Sequence, residues 1–437
     1  MRTFPQKLLF ILRNTGCVWL FLALLIPVQA TTWEIVTLHG RQYIPLRNLK
    51  TFYKLEMGKN QLPSQVRLRG ARGVIDFRAN SRECAINGVR IWLSFPALST
   101  DRGWMISRMD VAKTIEPAMR PSIIKGLKKV ETVVLDPGHG GHDGGAASIY
   151  GMEKAFALDI AKRVRKRLID GGYRVVLTRD RDYFIPLEAR SAVANAMPNS
   201  IFVSIHFNAS PSGSEAAGIE VFSMAPRGAP STNDNYITWA SLREDPGHQL
   251  DMASFALGRS IHTAMVGYLR TQDRGLKRAR FAVIRTARVP AVLVECGFLT
   301  NPLEARRIAS GGHRENIARS IAEGINDYAL LATLQKSPKN LTDYNRALDT
   351  SITLREDHEA GATDENHQPL QKGDPNAPAP GTAPDDDSPE LLPFSPLARA
   401  EETELSSLRL IGDFLYRNSP PQPAEGGFRM VVSKKSE

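Results

Sequence analysis

Cysteine is rare in this chain, with three residues among 437. Cys17 lies within the first thirty residues, so a processed chain keeps only Cys84 and Cys296. That excludes a scaffold built on disulfides, and both are expected to be separate buried thiols. Long apolar runs are also scarce. The N-terminal apolar core, residues 18–26, falls short of the roughly 20 residues that span a bilayer. It follows Arg2, Lys7 and Arg13 and precedes Val28-Gln29-Ala30, the pattern of a cleaved leader over residues 1–30. The mature chain is therefore expected outside the cytoplasm, periplasmic or secreted, with no stable membrane span. There is no zinc knuckle, RNA-binding signature or aromatic-basic stripe, so nucleic acid is not an expected partner. The formal charge of +10 fits anionic surroundings without choosing among them. No Lys-Ser/Thr pair or dinucleotide spacing accompanies the glycine-rich loop, against a phosphate-binding enzyme, and no His-Glu-x-x-His occurs.

What is present centres on Val133-Val134-Leu135-Asp136-Pro137-Gly138-His139-Gly140-Gly141-His142-Asp143-Gly144-Gly145. An apolar strand runs into a glycine loop, and a histidine stands where the strand ends. Glycines let a backbone turn sharply and approach a ligand, and a histidine there can ligate a metal or move a proton. Two later runs share the design: Ile201-Phe202-Val203-Ser204-Ile205 ends in His206, and Ala291-Val292-Leu293-Val294 ends in Glu295. Such runs read as strands buried on both faces of a parallel sheet. Ligands bind outside the carboxyl ends of strands in open α/β sheets, so His139, His206 and Glu295 are expected to share one rim.

Around these strands lies a regular alternation. Strands are expected at 131–136, 173–178, 201–206, 218–222, 281–284 and 291–295, with helices at 153–168, 187–196 and 252–269 and from Leu303 and His313. The fold class is α/β: a three-layer αβα unit on a mostly parallel sheet, residues 131–334. Before it, residues 31–118 read as a small α+β unit, with Asn87-Gly88 as a tight turn between two strands. Residues 119–130 form a basic linker. Residues 335–437 read as a low-complexity tail, rich in proline, alanine and aspartate at 373–396 and expected to be mostly disordered; 405–416 is one short amphipathic stretch.

Four segments resemble the zinc-dependent N-acetylmuramoyl-L-alanine amidases of the Amidase_3 family. They are Leu135-Asp136-Pro137-Gly138-His139-Gly140-Gly141, Met152-Glu153-Lys154, Ser204-Ile205-His206-Phe207-Asn208-Ala209 and the run from Pro290 through Glu295-Cys296-Gly297-Phe298 to Pro302. They fall in the family's order across residues 131–334. The resemblance implies one Zn2+ held by His139, Glu153 and His206, with Glu295 as the catalytic carboxylate and peptidoglycan as the substrate. Each residue has a bland alternative: a turn cap for His139, a core histidine for His206, a helix N-terminal acid for Glu153. The ordered set favours the metal reading. Phe207 departs from the small residue common there and is expected to narrow the groove. His142, Arg190 and Asn208 are read as groove residues. The alternatives kept open are a secreted zinc peptidase and a catalytically silent wall-binding regulator.

The stretch 40–49 is similar to the domain named after the copper amine oxidase N-terminus and implies an accessory binding module. It implies no copper, since His39 is that unit's only histidine. Between Phe222 and Met252 lies an insert longer than an ordinary connection, with a short helix expected within 236–244. It is a candidate lid, displaced by an activator protein, with Glu244 as the acid nearest the metal; the alternative is a solvent loop edging the groove.

Overall fold

The computed structural model describes residues 33–59, 62–210 and 215–346. The leader and the tail beyond residue 346 lie outside the described residues.

The N-terminal unit is built from β1 (Val36–Leu38), β2 (Arg41–Pro45), α1 (Leu46–Tyr53), β3 (Glu56–Met57), β4 (Gln65–Gly70), β5 (Gly73–Arg78), β6 (Ser81–Ile86), β7 (Val89–Thr100) and β8 (Gly103–Ser107). Its strands alternate buried and partly exposed residues, with Val66, Leu68, Ile75, Phe77, Cys84, Ile86 and Ile91 turned into the core. Short helical segments between Arg108 and Ile123 lead into the second unit.

The second unit comprises β9 (Thr132–Pro137), β10 (Ala147–Ser148), β11 (Gly151–Met152), α2 (Glu153–Asp170), β12 (Arg174–Leu177), α3 (Leu187–Asn195), β13 (Ser200–Asn208), β14 (Ile219–Met224), α4 (Asp251–Leu269), β15 (Asp273–Ala279), β16 (Ala291–Phe298), α5 (Pro302–Ala309) and α6 (Gly311–Leu334). Every residue of β9 and β16 is buried, as both-face coverage requires. Phe156, Ile160 and Val164 of α2, Phe255 and Ile261 of α4 and Ile317, Ile321 and Ile325 of α6 pack on one face of the sheet. Ala194 of α3 and the helical turn Ala282–Arg285 pack on the other, against Val134, Phe202, Phe222 and Leu293. These are the three expected layers.

The sheet runs β12-β9-β13-β16-β14-β15-β7-β6-β5-β4-β3. β12, β9, β13 and β16 are parallel. β14 runs antiparallel to β16, and β15 follows β14. At Leu276–Ile91, β15 pairs with β7. The N-terminal unit therefore continues the same sheet. The joint is pinned by Arg90 N on Asp273 Oδ2 at 2.8 Å, Trp92 Nε1 on the Arg274 carbonyl at 2.9 Å and Lys113 Nζ on Asp251 Oδ1 at 3.0 Å.

Three expectations need correction. The apolar run 281–284 is a helical turn; the strand is β15, whose Lys277 and Arg278 are charged yet buried. The chain stays on the body past residue 334, because Tyr344 is buried and donates to Asp327 Oδ2 at 2.5 Å. The insert leaves Met224 at the foot of the sheet. Glu220 lies level with Glu295, and β14 then runs away from that rim, so its C-terminal end opens opposite the strand ends that carry His206 and Glu295. Arg82, Arg278 and Arg280 hold the insert there: Arg82 Nη1 donates to the Ser231 and Asp234 carbonyls at 3.2 and 2.8 Å, Arg278 NH donates to Thr232 Oγ1 at 2.8 Å, and Arg280 Nη2 donates to the Pro226 and Ala229 carbonyls.

Candidate metal centre and active site

β9 ends in Gly138-His139. His139 adopts a left-handed φ of 59°, uncommon for a residue with a side chain. Two buried arginines hold this backbone. Arg179 Nε and Nη2 donate to the Pro137 and Gly138 carbonyls at 3.0 and 2.6 Å, and Arg190 Nη1 and Nη2 donate to the Pro137 and His139 carbonyls at 3.0 and 2.9 Å. Three successive carbonyls are thus fixed by guanidinium donors, and Arg190 also pairs with buried Asp136 at 3.0 Å. Two glycines make room: a Cβ on Gly138 would lie 2.3 Å from His206 Cε1, and one on Gly145 would lie 2.5 Å from Glu153 Oε2.

The donor atoms of His139, Glu153 and His206 all lie within 4.8 Å of one another. Glu153, the first residue of α2, sits between the histidines. Its Oε1 is 3.1 Å from His139 Nε2 and 2.9 Å from His206 Nδ1, and accepts from Phe207 NH at 2.9 Å. Its Oε2 accepts from Ala146 NH at 2.8 Å. Asp143 Oδ1 lies 2.8 Å from His139 Nδ1, on the side of the ring away from the cluster, where its charge acts on the imidazole.

The electrostatics fit a cation. Burial alone would favour neutral His139, but Glu153 and Asp143 outweigh it and raise its pKa to about 10. Burial also works against the Glu153 carboxylate, yet the two histidines hold its pKa well below the usual range. Two nitrogens and one oxygen converging on a buried negative charge match the donor set of a hydrolytic zinc site.

Glu295 stands beside this cluster. It pairs in register with His206 across β13–β16 and with Glu220 across β16–β14. Its Oε2 is buried with no hydrogen-bond partner among the described residues. Burial, then the charges of Glu153 and Glu220, push its pKa well up. Glu220 is itself held ionised: burial opposes this, but Lys277 Nζ at 2.5 Å, Arg274 Nε at 3.2 Å and Asn208 Nδ2 at 2.9 Å overcome it.

The remaining sequence assignments scatter. His142 is exposed and stacks on Phe184 with ring centroids 4.3 Å apart. Arg190 is buried and grips backbone, so it does not front a groove. Asn208 is buried on Glu220, and Phe207 turns into the core against Phe156 instead of narrowing a groove. Glu244 lies outside the donor cluster, paired with Arg227 at 3.0 Å on exposed surface. Cys84 and Cys296 are buried free thiols. Asp143, Arg179 and Glu220 were missed. An acid inside an otherwise buried strand was the available signal for Glu220, as was an acid in the glycine loop for Asp143.

The profile of the family described as N-acetylmuramoyl-L-alanine amidase, Amidase_3, matches residues 133–327. The amidase AmiA of Escherichia coli K12 is 35% identical over 246 residues, 51% of this chain and 84% of AmiA. AmiC of Neisseria meningitidis is 35% identical over 47% of this chain and 54% of its own length. The solved amidase AmiC2 of Nostoc punctiforme is 32% identical, with a TM-score of 0.39 over 48% of this chain and all of that one. The chain belongs to the Amidase_3 family of N-acetylmuramoyl-L-alanine amidases.

Proposed function

We propose that this chain is a zinc-dependent hydrolase that cuts the amide between N-acetylmuramic acid and L-alanine in peptidoglycan, outside the cytoplasm, for wall remodelling or daughter-cell separation. The observation that carries this reading is the pairing of the three-donor cluster with Glu295, a buried acid one strand away whose Oε2 has no partner among the described residues.

His139 Nε2, His206 Nδ1 and Glu153 would hold the ion. Zinc bound there supplies Lewis-acid polarisation of the amide carbonyl and a more acidic water. Glu295 is kept apart from ligation by its place in the sheet. Its Oε2 is suited to take a proton from the attacking water and return it to the leaving nitrogen of L-alanine. Burial, then the charges of Glu153 and Glu220, push its pKa up, which helps it hold the proton between the two halves of that transfer. Lys277, Arg274 and Asn208 keep Glu220 ionised behind it, and that charge sustains the shift.

The test uses the full chain stripped of metal and a soluble muramoyl peptide. One equivalent of zinc should restore hydrolysis, and the zinc-loaded Glu295→Ala protein should stay inactive. Restored hydrolysis by that variant would remove Glu295 from the chemistry.

A further inference from the structure

β12 carries none of the three donors. It is an edge strand of the sheet and pairs with β9. Yet the loop that leaves it, residues 178–184, holds both segments that present His139 and Glu153. Arg179 is 1% exposed and lies between them. Its Nη2 donates to the Gly138 carbonyl at 2.6 Å and to the Lys154 carbonyl at 2.7 Å. One nitrogen thus joins the residue before His139 to the residue after Glu153. Nε holds the Pro137 carbonyl at 3.0 Å, and Nη1 holds the Arg181 carbonyl of its own loop at 3.3 Å.

A second tie lies outside the first. Lys154 Nζ donates to the Gly141 carbonyl at 2.8 Å and to Asp182 Oδ2 at 2.7 Å, and Asp182 Oδ1 accepts from Gly141 NH at 2.7 Å. Lys154 belongs to the segment Met152-Glu153-Lys154, and no step of the proposed reaction uses it. The loop also leaves no slack. A Cβ on Gly140 would lie 2.2 Å from the Tyr183 carbonyl oxygen, and one on Gly141 would lie 2.8 Å from Phe184 N. Glycine at both places lets backbone pack on backbone. Tyr183 OH donates to the Thr178 carbonyl at 3.2 Å, which braces the loop on itself. His206, by contrast, takes its place from the pairing of β13 with β9 and β16.

We infer that Arg179 is a positioning residue that sets the separation of His139 from Glu153, and so the ligand geometry offered to the metal, with the Lys154–Asp182 pair as an outer brace. This rests on the metal reading proposed above. A site of two histidines and one carboxylate binds well only while its donors stay within about 0.2 Å of coordination distance. The glycines of residues 138–145 give that loop freedom to drift. The guanidinium removes the freedom next to His139 and refers it to the first turn of α2, where Glu153 stands. Its planar fork of fixed donors suits several carbonyls at once, as a single ammonium does not.

The experiment compares full-length wild type with Arg179→Met, Arg179→Lys and Lys154→Met. Chelator competition reads zinc affinity, visible absorption of the Co2+-loaded protein reads ligand geometry, and melting of the metal-free protein reads stability. Arg179→Met should bind zinc about 10- to 100-fold more weakly, as loss of a group that orients ligands does, and its cobalt bands should shift. Arg179→Lys keeps the charge without the fork and should fall between. Lys154→Met breaks a partly exposed pair, so it should stay folded and lose about two- to fivefold in zinc affinity. Arg179→Met that melts lower yet binds zinc like wild type, with unchanged cobalt bands, would make the arginine merely structural and overturn the inference. If Arg179→Met does not fold, unchanged zinc affinity in Lys154→Met overturns it instead. Wild type that takes up neither zinc nor cobalt would overturn the metal reading itself.

Discussion

Replacing Arg190 by methionine removes a buried cation from beneath the metal cluster. Arg190 is 2% exposed and Asp136 is wholly buried. Removing one partner of a buried ion pair costs about 3–5 kcal/mol, because the other charge stays buried without it. Asp136 keeps two hydroxyl donors, Thr178 Oγ1 at 2.6 Å and Ser204 Oγ at 2.8 Å, which draws the cost to the lower end. Pro137 O keeps Arg179 Nε at 3.0 Å, but His139 O loses its 2.9 Å donor, adding about 1 kcal/mol. The total is about 4 kcal/mol, a large share of the roughly 5–15 kcal/mol that holds a domain folded. Urea unfolding of Arg190→Met, Asp136→Asn and the double variant measures it. The double should lose about 2 kcal/mol less than the sum of the singles, since neutralising Asp136 relieves the stranded charge. Zinc affinity should weaken with Arg190→Met, because the His139 backbone loses a restraint. A loss below about 1 kcal/mol, or an additive cycle, would refute the reasoning.

Glu153→Ala should lose zinc on dialysis, whereas Glu295→Ala should retain it and lose about 10²–10⁴ in rate; metal analysis beside kinetics separates the two, and the reverse pattern would exchange their roles. His139 is raised above its ordinary 6.5 to about 10, so in the metal-free protein its stabilising contribution is whole below pH 6.5 and fades as pH climbs through 10. Glu153, held below its ordinary 4.5, contributes above that pH and is lost on acidification. Because zinc displaces the His139 proton, apparent affinity should rise about tenfold per pH unit between pH 6 and 8; chelator competition showing no pH dependence would contradict this. Deleting residues 225–249 with a short glycine linker should lower the melting temperature without raising activity, since the insert seals the foot of the joint; higher basal hydrolysis at unchanged zinc content would restore the lid.

Much of the candidate cluster was legible because its residues stand in or just past the C-terminal halves of strands, with His139 just past β9, His206 near the end of β13 and Glu295 in the second half of β16. An apolar run marks the strand, its last residue marks the rim, and three such runs marked His139, His206 and Glu295. The direction of β14 was not legible. Alternation gives the face of a strand but not its sense, so the insert was drawn to the wrong rim and Glu244 with it. β15 was hidden because Lys277 and Arg278 look like surface residues, and their burial depends on Glu220 and on the Met224 and Lys113 carbonyls. A short apolar run such as 281–284 suits a buried strand or a buried helical turn equally. Arg190 read as a groove residue because its partners, Asp136 and the 137–139 backbone, come from a distant strand. The shared sheet rests on one edge pairing between units, which no local pattern announces.

Digestion of purified peptidoglycan followed by mass spectrometry tests the central claim most directly. Released peptides beginning with a free L-alanine amino group, beside uncut glycan strands, are the predicted products, and zinc-loaded Glu295→Ala should release none. Shortened peptides, or sugar chains cut between their rings, would contradict the account.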